Sequence, residues 1–256
     1  LLEVEGLAKR FGGLKAVDGA GFAVRRGSIT ALIGPNGAGK TTAFNLITGF
    51  LRPDAGRVRL GEEDVTGRRP DRIARAGMVR TFQLTRVLGK LKVLDNVVLA
   101  APDQPGERLG AALLRPRGWR PRERALREEA MALLAEVGIA DKADDYAATL
   151  SGGQRKLLEL ARALMARPAL VLLDEPMAGV NPTLGRRLLA YLETLRAERG
   201  LTILFVEHDM EVVMGISDEV IVMAEGRVIV QGPPDLVRKD RRVIDAYLGA
   251  EPAGAG

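Results

Sequence analysis

The stretch that most constrains this chain is Gly34-Pro-Asn36-Gly37-Ala-Gly39-Lys40-Thr41-Thr42, preceded by the apolar run Ile29 to Ile33 and followed by the helix-like Thr42 to Thr48. A strand, a glycine loop and a helix in that order form the setting of a phosphate-binding loop. The three glycines admit backbone conformations closed to other residues, so that successive N–H groups can turn inward around a phosphate chain. The start of the helix adds a partial positive charge. Lys40 is placed to reach β- and γ-phosphate oxygens, and the Thr41 hydroxyl to ligate the Mg²⁺ that bridges them. The stretch therefore points to a nucleoside triphosphate and leaves open what its hydrolysis would drive.

With 256 residues, 46% of them hydrophobic, the chain can bury one large α/β domain or a domain carrying a smaller insertion. The sequence has no cysteine, which excludes disulfides, thiolate metal sites and thiol nucleophiles and fits a reducing compartment. No run approaches about eighteen apolar residues. The first residues, Leu-Leu-Glu-Val-Glu-Gly-Leu, lack a basic-then-apolar leader pattern. The expectation is an unexported, cytoplasmic chain, with residues 251–256 a disordered tail. The net charge of +5 comes from 38 basic against 33 acidic residues, 30 of the basic ones being arginine. These charges are spread out and only 4% of residues are aromatic, so no nucleic-acid partner is expected.

Leu1 to Glu5, Phe22 to Val24 and Arg57 to Leu60 read as short strands of a small antiparallel sheet, with a turn at Phe11-Gly12-Gly13. Phe11 could lie against an adenine face or belong to the core. Met78 to Phe82 reads as a strand ending at Gln83, whose amide suits both Mg²⁺ and an attacking water but could equally be solvated. No strand pattern follows through Asn96. Ala101 to Arg122, with prolines at 102, 105, 116 and 121, is expected to be an irregular loop or inserted hairpin. Glu123 to Val137 places Ala130, Leu133, Leu134 and Val137 on one face of an amphipathic helix.

At Leu150-Ser151-Gly152-Gly153-Gln154 a second glycine loop opens a second helix, Arg155 to Ala166, with Ser151 where an N-cap belongs; this is again a phosphate-binding design. Ala169 to Leu173 has the pattern of a strand buried on both faces and ends in Asp174-Glu175-Pro176. Carboxylates at the C-terminal end of such a strand sit where ligands bind. Asp174 suits Mg²⁺ through a water, and Glu175 suits a base or orienter of the attacking water. Two carboxylates so close call for a cation, which argues for a metal. Pro182 to Glu198 is expected as a helix and Leu201 to Val206 as another buried strand. His208, the only histidine, follows it. It is either structural or faces the same crevice, where it could meet the γ-phosphate. Val220 to Met223 and Val228 to Gln231 form a hairpin, and Pro234 to Lys239 and Arg241 to Leu248 are terminal helices.

With GPNGAGKT, Gln83, LSGGQ, Asp174-Glu175 and His208 in that order, the chain resembles an ATP-binding-cassette (ABC) ATPase over nearly its whole length. The resemblance implies an α/β P-loop NTPase with a RecA-like core, an antiparallel β-subdomain and an inserted helical subdomain. In those terms residues 1–250 form one ABC domain, with 1–87 and 163–250 as the core and β-subdomain and 88–162 as the helical subdomain bearing the signature loop. It also implies site roles for Phe11, Gln83 and His208, with ATP and Mg²⁺ as cofactors. Two cassettes would face head to tail, each ATP held between one P-loop (Gly34, Asn36, Gly37, Gly39, Lys40, Thr41, Thr42) and the opposite Ser151, Gly153 and Gln154. The chain departs from the general pattern at Asn181, where an aspartate is usual. Phe11-Gly-Gly-Leu-Lys-Ala-Val17, Val79-Arg-Thr-Phe-Gln83, Glu207-His-Asp-Met210 and Val243-Ile-Asp-Ala-Tyr-Leu-Gly249 resemble the Liv-type subgroup, the ATPases of branched-chain amino-acid importers, and more closely the larger of their two ATPase subunits. That implies membrane permease subunits, a second ATPase subunit, an external solute-binding protein and a position on the cytoplasmic face of the membrane. Relatives serving other amino acids, amides or urea share these features. A soluble ABC ATPase acting on nucleic acid or ribosomes is a weaker alternative, because it would carry two cassettes, zinc-binding cysteines or long coiled coils.

Overall fold

A computed structural model describes residues 1–81, 87–102 and 120–248. Gln83, most of the irregular segment 101–122 and the tail 251–256 lie outside the described residues. The chain divides into two units, residues 1–80, 169–176 and 192–256 in the first and residues 81–168 and 177–191 in the second.

The first unit contains two sheets. Strands β1 (Leu2–Phe11), β2 (Leu14–Val24), β4 (Ala55–Leu60) and β5 (Glu63–Asp64) form an antiparallel sheet in the order β2-β1-β4-β5. Strands β3 (Ile29–Ile33), β6 (Met78–Arg80), β7 (Leu170–Asp174), β8 (Thr202–Val206), β9 (Glu219–Ala224) and β10 (Arg227–Gly232) form the other, in the order β10-β9-β3-β8-β7-β6. It is parallel except for the β9–β10 hairpin. Strands β3, β7 and β8 are buried at every residue, which accounts for their nearly continuous apolar runs. The helix Lys40–Ile47 shares one hydrophobic core with both sheets, to which Phe44 and Ile47 contribute together with Leu2 and Leu7 of β1, Leu172 of β7 and Met223 of β9.

Strands β1 and β2 run far beyond the short strands expected from sequence. Register shifts between Val4 and Leu7, between Leu7 and Ala8, and between Lys9 and Arg10 let the pair continue past positions where strict alternation fails. They meet at the two-residue turn Gly12-Gly13, where Gly12 takes φ 59° as a tight hairpin demands.

The second unit is helical. Val93–Val98, Arg120–Glu136 and Gly152–Met165 pack through Val93, Val97, Ala130, Leu134, Leu158 and Ala161, all buried. The middle helix begins at Arg120, within the segment expected to be irregular. Asn96 is fully buried because its amide closes the turn before it, accepting from the Leu88 N–H (2.9 Å) and donating to the carbonyls of Leu88 (3.1 Å) and Lys92 (3.0 Å). The helix Pro182–Arg199 begins in this unit and ends in the first.

Candidate nucleotide site

The glycine loop joins β3 to the helix Lys40–Ile47, and its three glycines are required for different reasons. Gly34 (φ 149°) and Gly39 (φ 95°) have no room for a side chain, since a Cβ would collide with the carbonyl oxygens of Met223 and Ala16 respectively. Gly37 (φ 80°) faces open space and is needed only for its backbone conformation. Gly39 is the left-handed residue from which the helix starts. The turn of the β9–β10 hairpin braces the loop from behind, the Gly226 N–H donating to the Ala38 carbonyl (3.1 Å).

Lys40 is 6% exposed, and its ammonium donates to the carbonyls of Gly34 (2.7 Å) and Pro35 (2.9 Å). Burial pulls its pKa below the usual lysine value, while the Glu175 carboxylate opposes that shift. A desolvated cation over a glycine loop of left-handed backbone is suited to a phosphate chain.

Phe11, Asn36, Gly37, Gly39, Lys40, Thr41, Thr42, Glu175 and His208 line one cavity of about 640 Å³. Lys15 and Glu225 line it too, and neither stood out in the sequence. Phe11, at the tip of the β1–β2 hairpin, is 47% exposed, so its ring is not a core side chain. At the end of β7 Glu175 takes φ 49°, strained for a residue with a side chain, and its N–H is held by the Val206 carbonyl (3.0 Å). His208 follows β8, the parallel neighbour of β7, and its Nε2 lies 3.0 Å from Glu175 Oε1.

Asp174 does not line this cavity. Its carboxylate is 2% exposed and accepts from Arg80 Nη2 at 2.6 Å. The charge of Asp174 does not by itself call for a metal, because Arg80 pairs with it, and Glu175 is in contact with His208. What favours Mg²⁺ is the donor set. Among the described residues no three His, Asp or Glu side chains gather as a metal cage. One carboxylate and the Thr41 hydroxyl, with phosphate oxygens and waters making up the rest, is how proteins hold this ion.

Ser151, Gly153 and Gln154 belong to the second unit. Ser151 and Gln154 form a reciprocal cap on the helix Gly152–Met165, the Gln154 N–H donating to Ser151 Oγ (3.3 Å) and the Ser151 N–H to Gln154 Oε1 (2.9 Å). The helix therefore starts at Gly152, three residues before the Arg155 expected from sequence. A Cβ on Gly153 would sit 2.6 Å from Leu184 Cδ2. Asn181 caps the helix Pro182–Arg199, its Oδ1 accepting from the Leu184 N–H (2.9 Å). Among the described residues no helix is long and apolar enough to cross a membrane.

A glycine loop leading from the interior strand β3 into a helix, with carboxylates at the end of β7 beyond the intervening β8, defines a P-loop nucleotide-binding protein. Residues 17–178 match the family described as ABC transporter, and residues 227–253 match that described as branched-chain amino acid ATP-binding cassette transporter. The chain belongs to the ATP-binding-cassette transporter ATPases. It is 42% identical to the high-affinity branched-chain amino acid transport ATP-binding protein BraF of Pseudomonas aeruginosa over 249 residues, covering 97% of this chain and 98% of that protein. It is 39% identical to LivG of Escherichia coli K12, a protein of the same description, over the same shares. Among solved structures it resembles an ATP-binding cassette of an ABC transporter in its ADP conformation, with a TM-score of 0.82 and 36% identity over 97% of this chain and 98% of that one.

Proposed function

We propose that this ATPase energises an importer of branched-chain amino acids, working on the cytoplasmic face of the membrane with permease subunits and a second cassette. The observation that carries this reading is the end-to-end likeness to BraF and LivG, which extends to the C-terminal residues 227–253.

In this reading Phe11 lies against the adenine, while the backbone N–H groups of the loop from Gly34 to Thr42 and the Lys40 ammonium hold the β- and γ-phosphates. Thr41, Asp174 through a water, and Gln83 hold the metal. Mg²⁺, when bound, spreads the charge of the phosphate oxygens. Glu175 accepts the proton of the attacking water, and His208 fixes the Glu175 carboxylate and meets the γ-phosphate. Ser151, Gly153 and Gln154 complete the site from the opposite cassette, in a head-to-tail dimer of two copies or of this chain with a related ATPase. The signature serine keeps its hydroxyl proton for this, because its oxygen is an acceptor in the helix cap. Permease docking falls to the segment Gln83 to Asn96 and the helical unit, where Leu94, Arg127 and Met131 line a groove of about 450 Å³. A solute-binding protein outside the membrane completes the system.

Uptake of radiolabelled leucine by cells lacking this chain, restored by the wild type but not by Lys40→Ala, is the expected result. Unchanged leucine uptake with loss of another amino acid, an amide or urea would move the substrate to that class.

A further inference from the structure

Arg80, at the end of β6, takes part in none of the roles assigned above, yet it is among the most constrained charged side chains of the first unit. Its side chain is 7% exposed. The guanidinium lies over the ring of Phe44 at 5.5 Å and that of Phe50 at 5.9 Å, so two aromatic rings flank it. Nη1 donates to Asn45 Oδ1 at 2.6 Å and lies 3.4 Å from Thr48 Oγ1, while Nη2 donates to Asp174 Oδ2 at 2.6 Å. Nε is buried without a partner, so the two Nη groups carry the polar contacts of the fork.

Asn45 and Thr48 sit on and just after the helix that begins at Lys40, and Asp174 ends β7. Arg80 therefore ties the helix behind the phosphate loop to the carboxylate assigned to the metal, with two bonds from one rigid plane. We infer that Arg80 is a positioning residue that fixes the Asp174 carboxylate through Oδ2, so that Asp174 would be held in one orientation toward the Mg²⁺ that accompanies the nucleotide. The inference rests on the metal role proposed for Asp174.

The chemistry requires such a partner. Asp174 is 2% exposed, and committing one of its oxygens to Arg80 removes the rotation that would let the carboxylate bind the metal in several ways. Lysine in place of Arg80 would keep the charge but not the fork, so it could reach Asp174 or Asn45 but would not lock one to the other.

The test separates nucleotide affinity from its Mg²⁺-dependent part, using a fluorescent ATP analogue in EDTA and in Mg²⁺. Arg80→Met should leave the affinity in EDTA within about twofold of wild type and lower the Mg²⁺-dependent gain by about tenfold or more, the scale of a lost charged hydrogen bond. Arg80→Lys should retain part of the gain. If Arg80→Met does not fold, a reduced gain with unchanged EDTA affinity in Arg80→Lys carries the inference alone. An unchanged gain in the folded variants, or equal losses with and without Mg²⁺, would mean that Arg80 only supports the fold and would overturn it. Asp174→Asn should abolish the gain. Should it keep the gain, or should the wild type show none, the metal role of Asp174 fails, and this inference with it.

Discussion

Lys40, Glu175 and His208 are each held by a specific contact at the candidate site, and that makes their removal predictable. Lys40 is buried over its own loop, and no other lysine or arginine lines the cavity among the described residues except Lys15, on the β1–β2 hairpin. Lys40→Ala should weaken binding of a fluorescent ATP analogue by roughly ten- to a hundred-fold, the cost of losing contacts to charged oxygens. Affinity equal to wild type would remove the phosphate-loop assignment. Phe11, half exposed, packs on Lys9 at 5.9 Å from ring centre to ammonium and can be truncated without opening a core cavity. If it stacks on adenine, Phe11→Ala should lower ATP affinity by about 1 to 3 kcal/mol while leaving inorganic tripolyphosphate unaffected, because that ligand has no base. Isothermal titration with both ligands decides, and equal losses would mean that Phe11 shapes the phosphate end instead.

At the level of elements, the two glycine motifs were legible because the first combines a backbone requirement with a helix start and the second a serine cap with one. The buried strands β3, β7 and β8 were legible as nearly continuous apolar runs. Strands β1 and β2 were only partly so, since their bulges and the glycines at 6, 19 and 21 break the alternation that marks a strand, and pairing supplies the continuity. The helix Val93–Val98 was missed because it is short and its one buried polar residue, Asn96, serves the preceding turn. Arg80 left no signal of its own. The only clue was its place near the end of a strand that aims at the same crevice as Asp174, and one arginine among thirty does not stand out. The capping role of Ser151 was legible, and it sets a prediction at this scale. Ser151→Ala should cost about 1 kcal/mol of stability through the lost cap. It should leave ATP binding by the isolated chain unchanged, because the phosphate loop belongs to the other unit. Chemical denaturation and nucleotide titration of the same variant check both halves, and a large loss of ATP affinity would count against the proposed division of labour.

At the scale of the whole molecule, this chain alone would carry only part of a working site in the proposed dimer. The phosphate loop, Glu175 and His208 lie in one unit, and in the proposed dimer the signature residues would close on the γ-phosphate from a second cassette. Glu175→Gln keeps the shape of the side chain but cannot accept the proton of the attacking water, so turnover should fall by roughly 10²- to 10⁴-fold while Mg²⁺-ATP still binds. ATP that persists stabilises whatever assembly it bridges, by mass action. Size-exclusion chromatography with light scattering on Glu175→Gln is therefore the most direct measurement, run at high protein concentration with Mg²⁺-ATP or Mg²⁺-ADP, alone and with the related ATPase subunit. The account predicts a dimer in ATP, formed with itself or with that subunit, and a monomer in ADP. A monomer in both nucleotides under both conditions, or a variant that hydrolyses ATP at the wild-type rate, would contradict it.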